Sequence, residues 1–420
     1  MNGLDKVLEL DESIVDISRD IKILSELAWP PALQSVFLAS WHRGQPQLPD
    51  VAYPFVDRSE NLRKLDSITE QASKLEHPLA EYVTKTAQSY FTISQLLAQR
   101  GGPEMTSLSV QVYGRPGEAL TGGNGVTSLD AARYFLKVAS EFDRNHQAAE
   151  AEFCLPANVI KQAIQARLTE VFEPDRIRIE IDKNLASKAV AGATRIRLRD
   201  ATCFSEYDAE QLLQHEAFVH SLTALNGRAQ PHLKSLSLGA PRTTAAQEGL
   251  ATFAELVTGA IDIARLERIA MRIVAIDLAL NGADFIDVFR YFLEAGQPEM
   301  ESYNSTMRVF RGAPVTGGHA FTKDSVYLHG LLEVHTFFRW ALREQKLKLC
   351  ENFFAGRMTL GDVIRFEPYF EDGTISPARY LPPWITRTTG LGGYLAFSVF
   401  ANNIDLSGLY ASHNFELLDR

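Results

Sequence analysis

His215 and His220 flank Glu216 in the run Gln214-His215-Glu216-Ala217-Phe218-Val219-His220, and the residues before it, from Asp208, are patterned as a helix. Two imidazoles around a carboxylate suit metal ligation and general-base chemistry, provided both rings reach one ion. The spacing turns that proviso into a demand on the backbone. In H-E-x-x-H the histidines are four apart on one helix face; here they are five apart. At roughly 3.6 residues per turn, five steps leave the second ring roughly 140° from the first. A regular α-helix through His220 therefore points the rings apart. Either the helix ends just before His220, or a π-bulge widens the turn to i+5 and restores convergence.

A third ligand follows in Gln247-Glu248-Gly249-Leu250-Ala251. Glu248 sits on an apolar segment among small residues, Ala245, Ala246, Gly249 and Ala251, which permit close helix packing. An acid in such a helix is costly without a partner, and a metal ion is one. We expect His215, His220 and Glu248 to hold Zn2+, the ligand set of a catalytic site with its fourth position left to water. Zinc would lower the pKa of that water, and Glu216 would take its proton as general base. Tyr327, on a late helix, is the candidate donor to the developing oxyanion. Arg308, Arg311 and Lys323 are the candidate cations for a substrate carboxylate. Gln247 and Glu255 are expected to support the ligands. His232 is either a cleft-lining loop residue or an ordinary one, and His319, His329 and His335 read as structural.

The surrounding chain is mostly helical by its periodicity. Leu8, Ile14, Ile17, Ile21, Leu24 and Leu27 place a helix within residues 4–40, ended by Pro30-Pro31. Helices are expected at Ser59 to Lys74, Pro78 to Gln99, Thr127-Ser128 to about Arg144, and Pro156 to Val171, with a short strand from Leu108 to Tyr113. The loop with Gly122, Gly123 and Gly125 matches neither a P-loop nor a dinucleotide fingerprint. Alternation in Arg176 to Asp182, Lys188 to Gly192 and Thr194 to Arg199 predicts a small half-exposed sheet with charges on one face. Strands followed by a metal helix is the order of zinc peptidases, in which an edge strand pairs with extended substrate. Further helices are expected at Thr244 to Gly259, Ile261 to Leu280, Asp284 to Glu294, Tyr303 to Phe310 and Lys323 to Glu344, before a mixed tail from Phe366 to Arg420.

Composition sets the limits on function. The formal charge of −10 over 420 residues argues against a general nucleic-acid or anionic-membrane surface. No apolar run approaches a membrane span, and Met1 to Glu12 carries acids instead of an apolar signal core. Cys154, Cys203 and Cys350, odd in number and widely spaced, read as reduced core thiols of a cytoplasmic protein.

At His215-Glu216-Ala217-Phe218-Val219-His220 and Gln247-Glu248-Gly249-Leu250-Ala251, the chain resembles the bacterial proteins named for their QEGLA motif and described as flavohaemoglobin-expression modulators. These are similar to the microtubule-associated tyrosine carboxypeptidases of animals, which remove the terminal tyrosine of α-tubulin. The resemblance extends from the N-terminal helices to about Tyr380. It takes in the block from Arg311-Gly312 through Phe321-Thr322-Lys323-Asp324, with Tyr327 and Gly330. It implies an α+β, mostly helical fold: a gluzincin-type, zincin-like core over residues 151–420, with a small mixed sheet, and a helical N-terminal region over residues 1–150 packed on it. It also implies a zinc metallopeptidase with ligands at His215, His220 and Glu248 and a catalytic Glu216. The expected activity is that of a carboxypeptidase acting on peptide or protein C-termini, with tyrosine or another aromatic among the residues released. A non-catalytic binding protein that keeps the fold, and a zinc hydrolase of a non-peptide amide or ester, are the competing readings.

Overall fold

The computed structural model describes residues 3–141, 154–183, 185, 187–200 and 202–403. Among them the chain is mostly helical, with one three-stranded mixed sheet. The first helical stretch resolves into Gly3–Ser18, Ile23–Glu26 and Ala32–His42. The first helix thus ends at Ser18, earlier than the expected stop at Pro30-Pro31; the prolines mark only the second break, because proline can start a helix but not continue one. Val7, Leu10, Ile14 and Ile17 put one face of the first helix into a core that continues through Pro78–Ala98 and the His215 helix, Leu213–Ser221, to Leu395. The part of the expected Ser128 helix beyond residue 141, and the tail beyond residue 403, lie outside the described residues.

The strand expected from Leu108 to Tyr113 is instead the end of a helix, Glu104–Tyr113. Its alternating Leu, Val and Val side chains suit a strand, but Met105, Ser109 and Tyr113 are the buried positions, four apart. Packing against neighbouring helices overrides the local preference.

The three strands lie where alternation placed them: β1 (Arg178–Asp182), β2 (Ala189–Ala191) and β3 (Arg195–Arg199). Their order is β1-β3-β2, with β1 parallel and β2 antiparallel to β3. Ile196 and Leu198 face the core, and the arginines of β3 alternate outward. This leaves β2 as the edge beside the metal helix, to which Ser221 Oγ fastens it by donating to the Gly192 carbonyl at 2.7 Å.

Cys154 and Cys203 are joined in a disulfide, with Cα atoms 4.8 Å apart, so the expectation of three reduced thiols is corrected. The structure brings together two positions 49 residues apart, and an antiparallel bridge between Leu155 and Phe204 holds them. Cys350 is the buried free thiol, and burial pushes its pKa up to about 12. The inference of a reducing compartment loses its cysteine argument. Among the described residues no helix is long and apolar enough to cross a membrane.

Candidate metal centre

Helix Glu206–Leu212 starts at Ser205, whose backbone N–H is held at 2.7 Å by the Asp208 carboxylate reaching back, a capping box. It runs without a break into a π-helix, Leu213–Ser221, and then into helix Leu222–Ala229. Of the two backbone solutions open to the five-residue spacing, the chain takes the widened turn. The rings of His215 and His220 meet at 4.7 Å between centroids and 84° between planes.

Glu248 comes from helix Thr244–Val257, which crosses helix Val326–Arg343 at Gly249 and Gly330. A Cβ on Gly249 would lie 2.3 Å from the Gly330 carbonyl carbon, so only two glycines permit this approach. The crossing brings Glu248 and Tyr327 to the same cleft as the histidines. Glu248 Oε2 lies 3.4 Å from His215 Nε2 and 3.4 Å from His220 Nε2. It is buried, and its contacts with the rings do not have hydrogen-bond geometry. Tetrahedral zinc ligands about 2.0–2.1 Å from the ion stand about 3.4 Å apart. Two imidazole nitrogens at that spacing from a buried, orphaned carboxylate oxygen fit a metal ion, and the ligand atoms of His215, His220 and Glu248, all within 4.8 Å of one another, could hold one.

The supports are in place behind the ligands. Glu255 Oε1 is 2.6 Å from His215 Nδ1, and Arg265 clamps Glu255 with two contacts of 3.2 Å. Gln247 accepts from Thr223 Oγ1 at 2.8 Å, and Arg357 donates to the His220 carbonyl at 3.0 Å. Burial disfavours an imidazolium at His215, but the Glu248 and Glu255 carboxylates outweigh it and push its pKa up to about 10. Burial raises Glu255, yet Arg265 and His215 bring it down to about 2. Glu248 is likewise held low against burial, by Lys323 and the two histidines. Burial, then the charge on Glu248, raise the Tyr327 phenol, which keeps it a proton donor at neutral pH.

Glu216 is half-buried and lines the cleft with the ligands, Tyr327 and the β2 edge at Ala189, Val190 and Ala191. Arg308, Arg311 and Lys323 line it too. Two of these cations are already engaged. Arg308 forms a fork with Asp324 at 2.7 and 2.8 Å, and Lys323 donates to Glu248 Oε1 at 3.3 Å. Arg311 has no ion pair among the described residues; it lies 5.9 Å over the Phe321 ring, and burial followed by repulsion from Arg308 lowers it to about 10. His232 is exposed and away from the cleft. His335 packs on Phe253, His319 lies near Thr106, and His329 lines a separate cavity. Sequence reasoning missed Arg265 and Arg357; Arg265 reaches Glu255 from the next helix, Arg357 reaches His220 from 137 residues away, and neither belongs to a motif.

The model of the family described as microtubule-associated tyrosine carboxypeptidase matches residues 35–403. The chain belongs to that family. Membership implies a peptidase of the carboxypeptidase type, and the matched span contains both motifs, the sheet and the Gly249–Gly330 crossing. No curated protein sequence matches at a significant level.

Proposed function

We propose that the chain is a zinc-dependent carboxypeptidase that removes a C-terminal residue from peptides or proteins, with His215, His220 and Glu248 as ligands. The observation that carries this reading is the convergence of His215 Nε2 and His220 Nε2, each 3.4 Å from Glu248 Oε2, on a cleft that also holds Glu216. Bound zinc would supply Lewis acidity, acidifying water and polarising the scissile carbonyl. Glu216 takes a proton from the attacking water and returns it to the departing amine. Tyr327 keeps its phenolic proton and donates it in a hydrogen bond to the carbonyl oxygen as charge builds there. The β2 edge offers unpaired backbone groups to an extended peptide. Arg311, free of ion pairing among the described residues, suits the terminal carboxylate better than Arg308 or Lys323. Residues 151–420 carry the peptidase unit and residues 1–150 support it, in keeping with a core running from Val7 to Leu395.

The test is a C-terminal peptide library, with tyrosine-ended members included, read by mass spectrometry. Release of single residues is expected. Glu216→Gln should keep stoichiometric zinc while turnover falls about 10²–10⁴-fold; normal cleavage by that variant would overturn the mechanism.

A further inference from the structure

We infer that Arg268 and Arg272 form an oxyanion-binding site in the wall of the cleft beside the metal centre, taking a carboxylate or phosphate group. The metal cleft continues past Glu216, His215 and Tyr327 into a cavity walled by Arg265, Arg268, Arg272 and Arg308. Most of the charge in this wall is balanced. Arg265 is held by Glu255, Arg308 by Asp324, and Lys188 by Asp208 at 2.8 Å. Asp262, the other acid near Arg268, caps helix Ile263–Leu280 by accepting from the Arg265 N–H at 2.6 Å. Arg268 and Arg272 have no ion pair or hydrogen bond among the described residues. Both are half-buried and, four apart on that helix, share a face about one turn apart. Burial pulls both below the usual arginine range, Arg272 to about 10, and arginine keeps its charge in proteins at neutral pH.

Asp324 acts on Arg272, and Asp262, Asp208 and Glu255 on Arg268, but each of these acids is engaged by another group, so two half-buried guanidiniums without an ion pair of their own are costly to hold, and that cost falls when an anion enters. Guanidinium forks match the planar oxygens of carboxylate and phosphate, which names the ligand class. The anion would sit within the cavity that Glu216 lines, close to the scissile bond. Its source is an acidic side chain of the substrate or a free anion. The first rests on the carboxypeptidase reading; the site itself does not.

The test uses the full chain, with and without zinc. Inorganic phosphate is added against chloride at equal ionic strength and the melting temperature is read. Phosphate is expected to stabilise the protein specifically, and Arg268→Gln with Arg272→Gln to abolish the effect. Arg272→Lys, which keeps the charge and demands less of the fold, should retain part of it. Equal shifts in wild type and double variant, or no phosphate-specific shift in wild type, overturn the proposal. Peptides with Glu or Gln before the last residue then separate the sources. A Glu preference of about tenfold or more in kcat/KM that collapses in the double variant identifies a substrate carboxylate. An arginine-dependent phosphate shift without such a preference identifies a free anion. The same shift without any hydrolysis leaves the anion site standing and removes the peptidase reading.

Discussion

Single side chains decide whether the cleft can hold an ion. Glu255 is not itself a candidate ligand but fixes the His215 ring through a 2.6 Å contact. Removing such a support typically weakens a metal site about 10–100-fold. Glu255→Gln, which keeps the shape and loses the charge, should show that loss in competition with a zinc chelator, and Arg265→Met should move the affinity in the same direction. Asp11 makes a different residue-scale prediction. It is fully buried and accepts from the Ser235 hydroxyl and from Ser235 N at 3.0 Å; burial outweighs these hydrogen bonds and raises its carboxyl to about 6 from 3.8. The folded state therefore binds the proton where the unfolded chain has released it, so stability falls as pH rises between about 4 and 6. The full penalty is present above that window. Asp11→Asn should flatten this segment of the profile and gain up to about 3 kcal/mol at pH 7, measured by urea unfolding at pH 4.5 and 7.

Among elements, the π-helix and the glycine crossing do the positioning. The π-helix makes two histidines five apart share a face, and the crossing delivers Glu248 to them from another helix. Gly249→Ala would place a methyl carbon 2.3 Å from the Gly330 carbonyl oxygen. The backbones would have to separate, at a cost of about 1–3 kcal/mol. Because Glu248 is the next residue along, zinc content of the purified variant should fall together with its melting temperature. A stable variant with full zinc would show that the crossing does not set the ligand geometry.

Over the whole molecule, the disulfide ties the approach to helix Ala157–Leu168 to the loop before the metal helix, across 49 residues that include the sheet. Closing a loop of that length restricts the unfolded chain by roughly 4 kcal/mol in the chain-entropy account. Cys154→Ser with Cys203→Ser should lower the urea midpoint with little change in slope. A reductant should do the same to the wild type and nothing to the double variant.

Local periodicity made most helices and all three strands legible, because burial of one face repeats every 3–4 residues in a helix and every two in a strand. The alternation at Leu108 to Tyr113 misled for the same reason: it reports local preference, and the surrounding helices chose otherwise. The residues that converge on the candidate metal centre were legible because a histidine pair and an acid on small-residue helices carry their chemistry in their letters. The five-residue spacing reached further and restricted the backbone to two conformations. Choosing between them took the tertiary structure, which continues the helix through His220 into Leu222–Ala229. The pairing of charges was not legible at all. Arg308 and Lys323 look as available as Arg311 in the sequence, yet Asp324 and Glu248 occupy them. The sequence likewise shows Cys154 and Cys203 without showing that they lie within bonding distance. Ion pairs, disulfides and supports such as Arg357 depend on which distant segments meet, and that separation in space has no period along the chain for a reader to find.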